Sequence, residues 1–144
     1  MNKKRLLKLA RFLEKLPTSV FDLSYIVNGQ CDQLQMLVDT KFKDKKVIHK
    51  CKSMACAVGW MPAVFPELCM WSNGTVTDCD DLVSRNDMSL AKHIFDMNFD
   101  QLSYLFDTTY FAGNKEYTRN ISKETPKVVA KRIRNFVKDG KYEV

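Results

Sequence analysis

The run from Met54 to Trp60, MACAVGW, carries no polar side chain, and nothing between its two ends is larger than valine. Small side chains of this kind let a second stretch of backbone approach closely, so the run belongs in the interior against another segment. Ser53 has the side chain of an N-cap, and the spacing predicts a helix from Ser53 through Trp60 that Pro62 and Pro66 keep short. Cys56, Gly59 and Trp60 are therefore structural residues: a small buried thiol, a point of close contact and a large core anchor.

The rest of the chain has enough length to surround such a centre. At 144 residues, folding removes roughly 70% of the unfolded surface from water, so one globular domain spanning 1–144 needs no metal or disulfide staple. A composition of 45% hydrophobic and 28% charged residues excludes disordered and fibrous classes. The cysteines number five, which is odd, and charge interrupts the N-terminal segment throughout. Both features point to reduced thiols in a cytoplasmic setting, and no apolar run reaches the ~18 residues of a membrane span.

Leu6, Leu9, Ala10, Leu13 and Leu16 recur at helical spacing until Pro17. A second short helix is predicted from Thr18 or Ser19 to Asn28-Gly29, burying Phe21 and Tyr25, and a third over Cys31 to Val38. Lys41 to Lys52 sets six lysines against one aspartate and reads as an exposed loop. After Pro66 the period changes, and LCMWS, Asn73-Gly74 and TVTDC spell a hairpin with a two-residue turn. Its register sets Trp71 opposite Val76 and puts Cys69 and Cys79 on opposite faces. Leu90, Ala91, Ile94 and Phe95 mark a helix opening near Asn86, and Asn98 with Gln101 forms a capping box for the next. Residues 108–124 read as a loop. Thr125-Pro126 then opens a last helix to about Lys138, ahead of Gly140. The fold class that follows is mainly α, an α+β single domain with one small β-hairpin near residues 68–79, and Trp60, Phe65, Phe95 and Phe106 in the core.

Charge is polarised along the chain. Residues 1–16 carry six basic and one acidic side chain, residues 17–114 eight and twelve, and residues 115–144 nine and four, giving +5, −4 and +5. Lys4, Lys8, Arg11 and Lys15 follow one another by four, three and four positions, and Lys127, Lys131, Arg134 and Lys138 repeat those offsets. Each terminal helix thus has one cationic face, either a plain solvated surface or a track for phosphates. No aromatic residue occupies one of the stripe positions themselves, which argues against base-specific readout.

Other chemistry is thinner. His49, Cys51 and Cys56 are close in sequence, but the spacing of the two cysteines is wider than a zinc knuckle, and only one of Cys69 and Cys79 could join them. Packed thiols are the preferred reading over zinc. A Cys56 nucleophile, with His49 or His93 as its base, is opposed by its apolar neighbours, and Cys51, beside lysines alone, lacks an orienting partner. His93 reads as partly buried beside an apolar stripe, and Asp78, Asp80 and Asp81 as a solvated acidic turn. With no glycine-rich phosphate loop, paired-histidine motif or serine elbow, the expectation is no enzyme, no metal and no cofactor.

Four blocks, LARFLEKLPTSVFDLS, CKSMACAVGWMPAVFPE, HIFDMNFDQLSYLF and TPKVVAKRIRNFV, together resemble a family of small, largely uncharacterised proteins of tailed bacteriophages. The family's central block reads Cys-Gly-Thr-x-Ala-Cys-Ala-x-Gly followed by Trp or His, and this chain has Lys52 and Ser53 in place of Gly-Thr. The resemblance covers about half of the chain and implies phage origin and a host-cytoplasmic setting, with no reaction attached. The expected function is a non-enzymatic accessory protein that binds and modulates a host macromolecule, by preference a host protein. The alternative is a sequence-independent nucleic-acid binder using the two basic helices; a cysteine or zinc enzyme comes third.

Overall fold

The amphipathic ends of the chain form the helices that their spacing dictates. In the computed structural model, which describes residues 1–80 and 85–143, α1 (Lys3–Lys15) is capped by Asn2, whose side chain accepts from the Arg5 N–H, and buries Leu6, Leu9, Ala10 and Leu13. The last helix, α7 (Pro126–Asp139), starts at an N-cap Thr125 and ends at Gly140, whose left-handed φ of 67° suits glycine. Its buried face is Val129, Ala130, Ile133 and Phe136. These two helices, first and last in the chain, share the most extensive contact between any two elements.

The small-residue run is central and buried, as expected, but it is not a helix. Met54–Ala55 forms a short strand, β2, antiparallel to β1 (Val27–Asn28); residues 56–60 turn, and the helical turn α4 (Met61–Val64) follows Trp60. The backbone here bonds to a distant segment instead of to itself. The Cys56 N–H donates to the Tyr25 carbonyl at 2.9 Å, and the Asp22 N–H to the Ala55 carbonyl at 3.2 Å. Ser53 does not cap its own segment either. Its hydroxyl accepts from the Gln30 N–H at 2.7 Å and donates to Gln33 Oε1 at 2.6 Å, at the start of α2 (Cys31–Asp39). Gly59 is where the two segments touch: a Cβ there would overlap the Ile26 carbonyl and come within 2.7 Å of Ala55 Cβ.

The same pairing explains why the predicted second helix is absent. After a 3-10 turn at Thr18–Val20 the chain is committed to residues 53–56, so Phe21 is buried but Tyr25 is 53% exposed. Lys41 to Lys52 is also different from expectation, because Asp44 accepts from the N–H groups of Lys46 and Val47 and caps a helix, α3 (Lys45–Lys50). The predicted hairpin is present as β3 (Cys69–Ser72) and β4 (Thr75–Asp78) in the expected register, with φ of 51° at Asn73 and 77° at Gly74. Cys69 is buried and Cys79 exposed.

Two helices follow: α5 (Asp87–Phe95), and α6 (Phe99–Phe106), whose Asn98–Gln101 capping box forms with bonds of 2.9 and 3.0 Å. The 108–124 region is not a loop. It holds a second hairpin, β5 (Thr109–Ala112) and β6 (Lys115–Thr118), turning at Gly113 with φ of 63° and clasped by the stacked rings of Tyr110 and Tyr117 at 5.4 Å. The α+β class stands, with three two-stranded sheets among the described residues.

Trp60 sits at the middle of the core. Its ring meets Phe12, Phe42 and Trp71 at centroid distances of 5.8, 5.7 and 5.9 Å, and its indole N–H donates to the Val20 carbonyl at 3.2 Å. Phe65, Phe95 and Phe106 continue the cluster, and α1 packs against α4 and α5 as well as α7. Gly59→Ala is expected to cost about 3 kcal/mol through overpacking, read as a fall of roughly 6–12 °C in melting temperature. A melt superimposable on that of the unsubstituted protein would refute the close approach at this glycine.

Candidate functional site

The packing of α1 on α7 brings the two basic stripes from opposite ends of the chain onto adjoining helices. Lys4, Lys8, Arg11, Lys15, Lys127, Lys131 and Lys138 are exposed, while Arg134 is half-buried. Arg134 grips Glu14 across the seam, Nε to Oε2 at 3.1 Å and Nη2 to Oε1 at 2.5 Å. That fork holds the Glu14 carboxyl below its usual 4.5 and raises Arg134 in turn. Among the described residues, none of the seven other cations has an ion-pair partner. Lys8 lies over the Phe65 ring at 5.5 Å, its stem covering core. Of the large apolar side chains that are exposed, α1 contributes none and α7 only Val128, so this surface is charged and nearly free of apolar anchors.

Beside α7 the structure assembles a second feature. The C-terminal carbonyls of α6 need donors, and two arginines supply them. Arg119 Nη1 donates to Asp107 O at 2.7 Å and Ser103 O at 3.4 Å, Arg119 Nη2 donates to Tyr104 O, and Arg132 Nη1 donates to Leu105 O at 3.0 Å. Glu124 joins both guanidinium groups, at 2.5 Å from Arg132 and 3.7 Å from Arg119, and all three side chains are about nine-tenths buried. Such a set is held together by its completeness, since removing one member leaves a buried charge unpaired. Burial, with help from Arg132, pushes Arg119 down to about 10, so it remains a cation at neutral pH. Its guanidinium lies 4.1 Å from the Tyr110 ring centroid and 5.5 Å from that of Tyr104.

Past Gly140 the chain folds back over this cluster. Tyr142 stacks on Tyr104 at 4.6 Å and 10°, the Glu143 N–H donates to the Tyr104 hydroxyl at 2.9 Å, and Asn135 Nδ2 donates to Glu143 Oε1 at 3.0 Å. Burial raises the Tyr104 hydroxyl above its ordinary value. A cleft of about 480 Å³ opens here, walled by Tyr104, Arg119, Lys131, Arg132, Asn135 and Glu143 among others. Lys131 belongs both to this cleft and to the α7 stripe. Sequence reasoning missed the site because its arginines lie off the counted stripe and its tyrosines come from segments far apart in the chain. The one available signal was Arg132, set between two stripe residues.

The cysteine and metal candidates are scattered. Among the described residues no three His, Cys, Asp or Glu side chains gather closely enough to hold a metal. Cys56 is 3% exposed and burial pushes its thiol up to about 11, while burial, with Cys79 and nearby acids, takes Cys69 to about 12. Cys51 is half-buried with Sγ 3.3 Å from the Ser53 carbonyl, and His49 is exposed on α3. His93 is exposed, not partly buried, because it projects from α5 beside the stripe of Leu90 and Ile94 without reaching the core. Asp78 faces Arg85 at 3.7 Å, and its Oδ1 accepts from the Asp80 N–H; Asp81 lies outside the described residues.

A third concavity, of about 420 Å³, includes Pro62, Pro66, Met70 and Trp71 in its wall, with Met70 50% exposed. Among the described residues no helix is long and apolar enough to cross a membrane. No protein-family model, curated protein or solved structure matches the chain.

Both buried thiols titrate above their unfolded value of 9.0, so their contribution to stability is complete below that pH and is lost as pH rises toward 11 and 12. Alkylation of the folded protein at about pH 8 should modify Cys79 well ahead of Cys56 and Cys69. Peptide mass spectrometry reads the order. Labelling of Cys56 as fast as Cys79 would mean that the central run is open to solvent.

Proposed function

We propose that this chain is a non-enzymatic accessory protein of a tailed bacteriophage that acts in the host cytoplasm by binding a macromolecule through the α1/α7 face. The observation that carries the reading is the union of two basic stripes on adjoining helices, with seven cations that have no acidic partner among the described residues. Phage origin and the host setting rest on the resemblance of the four sequence blocks.

The character of the face favours nucleic acid over a host protein as the partner. Protein interfaces draw most of their affinity from buried aromatic or arginine anchors seated in pockets. This face offers long cations on two helices and one exposed valine, a surface suited to phosphate oxygens and indifferent to sequence. The host-protein reading keeps one specific support, the concavity with Pro62, Pro66, Met70 and Trp71 in its wall beside Asp32 and Gln35, a mixed apolar and polar lining that suits a peptide or loop.

Fluorescence anisotropy with a random-sequence duplex, repeated across a salt series, tests the reading. If all seven free cations met phosphates, the slope of log affinity against log salt would approach about −6. Lys4→Glu with Arg11→Glu, and separately Lys127→Glu with Lys138→Glu, should each weaken binding and flatten the slope by about 2. Binding that ignores salt and both double variants would move the partner to that concavity and to a protein.

A further inference from the structure

The cleft beside α7 contains three cations, Arg119, Lys131 and Arg132, and two carboxylates, Glu124 and Glu143. The carboxylates have different roles. Glu124 is consumed by its two arginines, whereas the Glu143 carboxylate accepts from Asn135 and forms no ion pair among the described residues. A carboxylate from the chain itself therefore stands in the cationic cleft on an amide donor. We propose that this cleft binds a phosphoryl group, with Lys131, Arg132 and Asn135 as its donors, and that Glu143 holds the anion position when no phosphate is bound.

The donor supply fits. A guanidinium has five N–H groups, and Arg132 uses one on the Leu105 carbonyl and one on Glu124, leaving three. Lys131 is exposed, and Asn135 stands one helical turn beyond it on α7. Arginine forks match phosphate oxygens in geometry and charge. The cleft volume of about 480 Å³ lies within the range of small-ligand sites. The backbone around Glu143 is pinned by the Tyr142 stack and the Tyr104 hydroxyl, so only the Glu143 side chain has to swing aside. This inference deepens the phosphate-binding reading of the α1/α7 face, with which it shares Lys131.

Calorimetric titration of the full chain with AMP, adenosine and inorganic phosphate at low salt tests it. AMP should bind and adenosine should not. Glu143→Gln, which removes the competing charge, should tighten AMP about threefold to tenfold, and Lys131→Gln or Asn135→Ala should each weaken it by about tenfold. Inorganic phosphate binding as tightly as AMP identifies the phosphoryl group as the whole ligand, and tighter AMP adds a contribution from its ring; either supports the site. Lys4→Glu with Arg11→Glu should leave AMP unaffected while weakening duplex binding, which separates the cleft from the face. Absence of heat with AMP and phosphate for both the unsubstituted protein and Glu143→Gln overturns the proposal, whatever happens with duplex. AMP binding indifferent to Lys131→Gln and Asn135→Ala overturns it as well.

Discussion

The contact of Gly59 with the Ile26 carbonyl is the constraint on which the rest of the molecule depends. A side chain of any size at that glycine would push apart segments whose backbones are hydrogen-bonded to one another, Asp22 to Ala55 and Cys56 to Tyr25. Their closeness places Trp60 under Val20 and lets Trp71 donate its indole N–H to the Gly59 carbonyl at 2.8 Å. The β3–β4 hairpin is thereby tied to the centre, and α1 lays Phe12 against the same tryptophan. Close-packed interiors tolerate little expansion at such points.

With the centre fixed, the first and last helices have one apolar face each to bury, and they bury much of it against one another. Their outer surfaces then carry the positive charge of both chain ends, while the acidic middle of the chain supplies the hairpin and α5. Glu14 and Arg134 mark the seam, a half-exposed pair that contributes little to stability. The arginine set at the end of α6 performs a different task. It satisfies carbonyls that a helix end leaves open, and in doing so it sets up a cationic cleft next to the stripe.

What could be read from the sequence was what is local. Asn73-Gly74 between alternating residues announces its hairpin because that turn needs two positive φ angles, and the terminal helices are legible from apolar spacing with Thr125, Pro126 and Gly140 as punctuation. The 53–60 run was misread because its partners are residues 20–28, and Ser53 serves the start of α2 from twenty residues away. Small apolar residues fit a helix and a close backbone pairing equally well. The hairpin at 109–118 has a blurred alternation, because Phe111 shares the outer face with Glu116 while Lys115 lies on the inner one over Tyr117, and its clasp is a pair of tyrosines. Of the site, the eight cations were legible and their meeting on adjoining helices was not, since it rests on tertiary packing. The cleft, built from residues 104, 119, 132 and 143, had no local signature beyond Arg132 between two stripe residues.

Lysine footprinting tests the central claim, that the α1/α7 face engages a phosphate backbone. Brief acetylation of the protein, free and bound to duplex, followed by peptide mass spectrometry, reports each amine separately. Protection of Lys4, Lys8, Lys15, Lys127, Lys131 and Lys138 is predicted, while Lys43, Lys45 and Lys46, equally exposed around the start of α3, stay reactive. Protection centred on those α3 lysines, or spread evenly over all of them, would contradict the account.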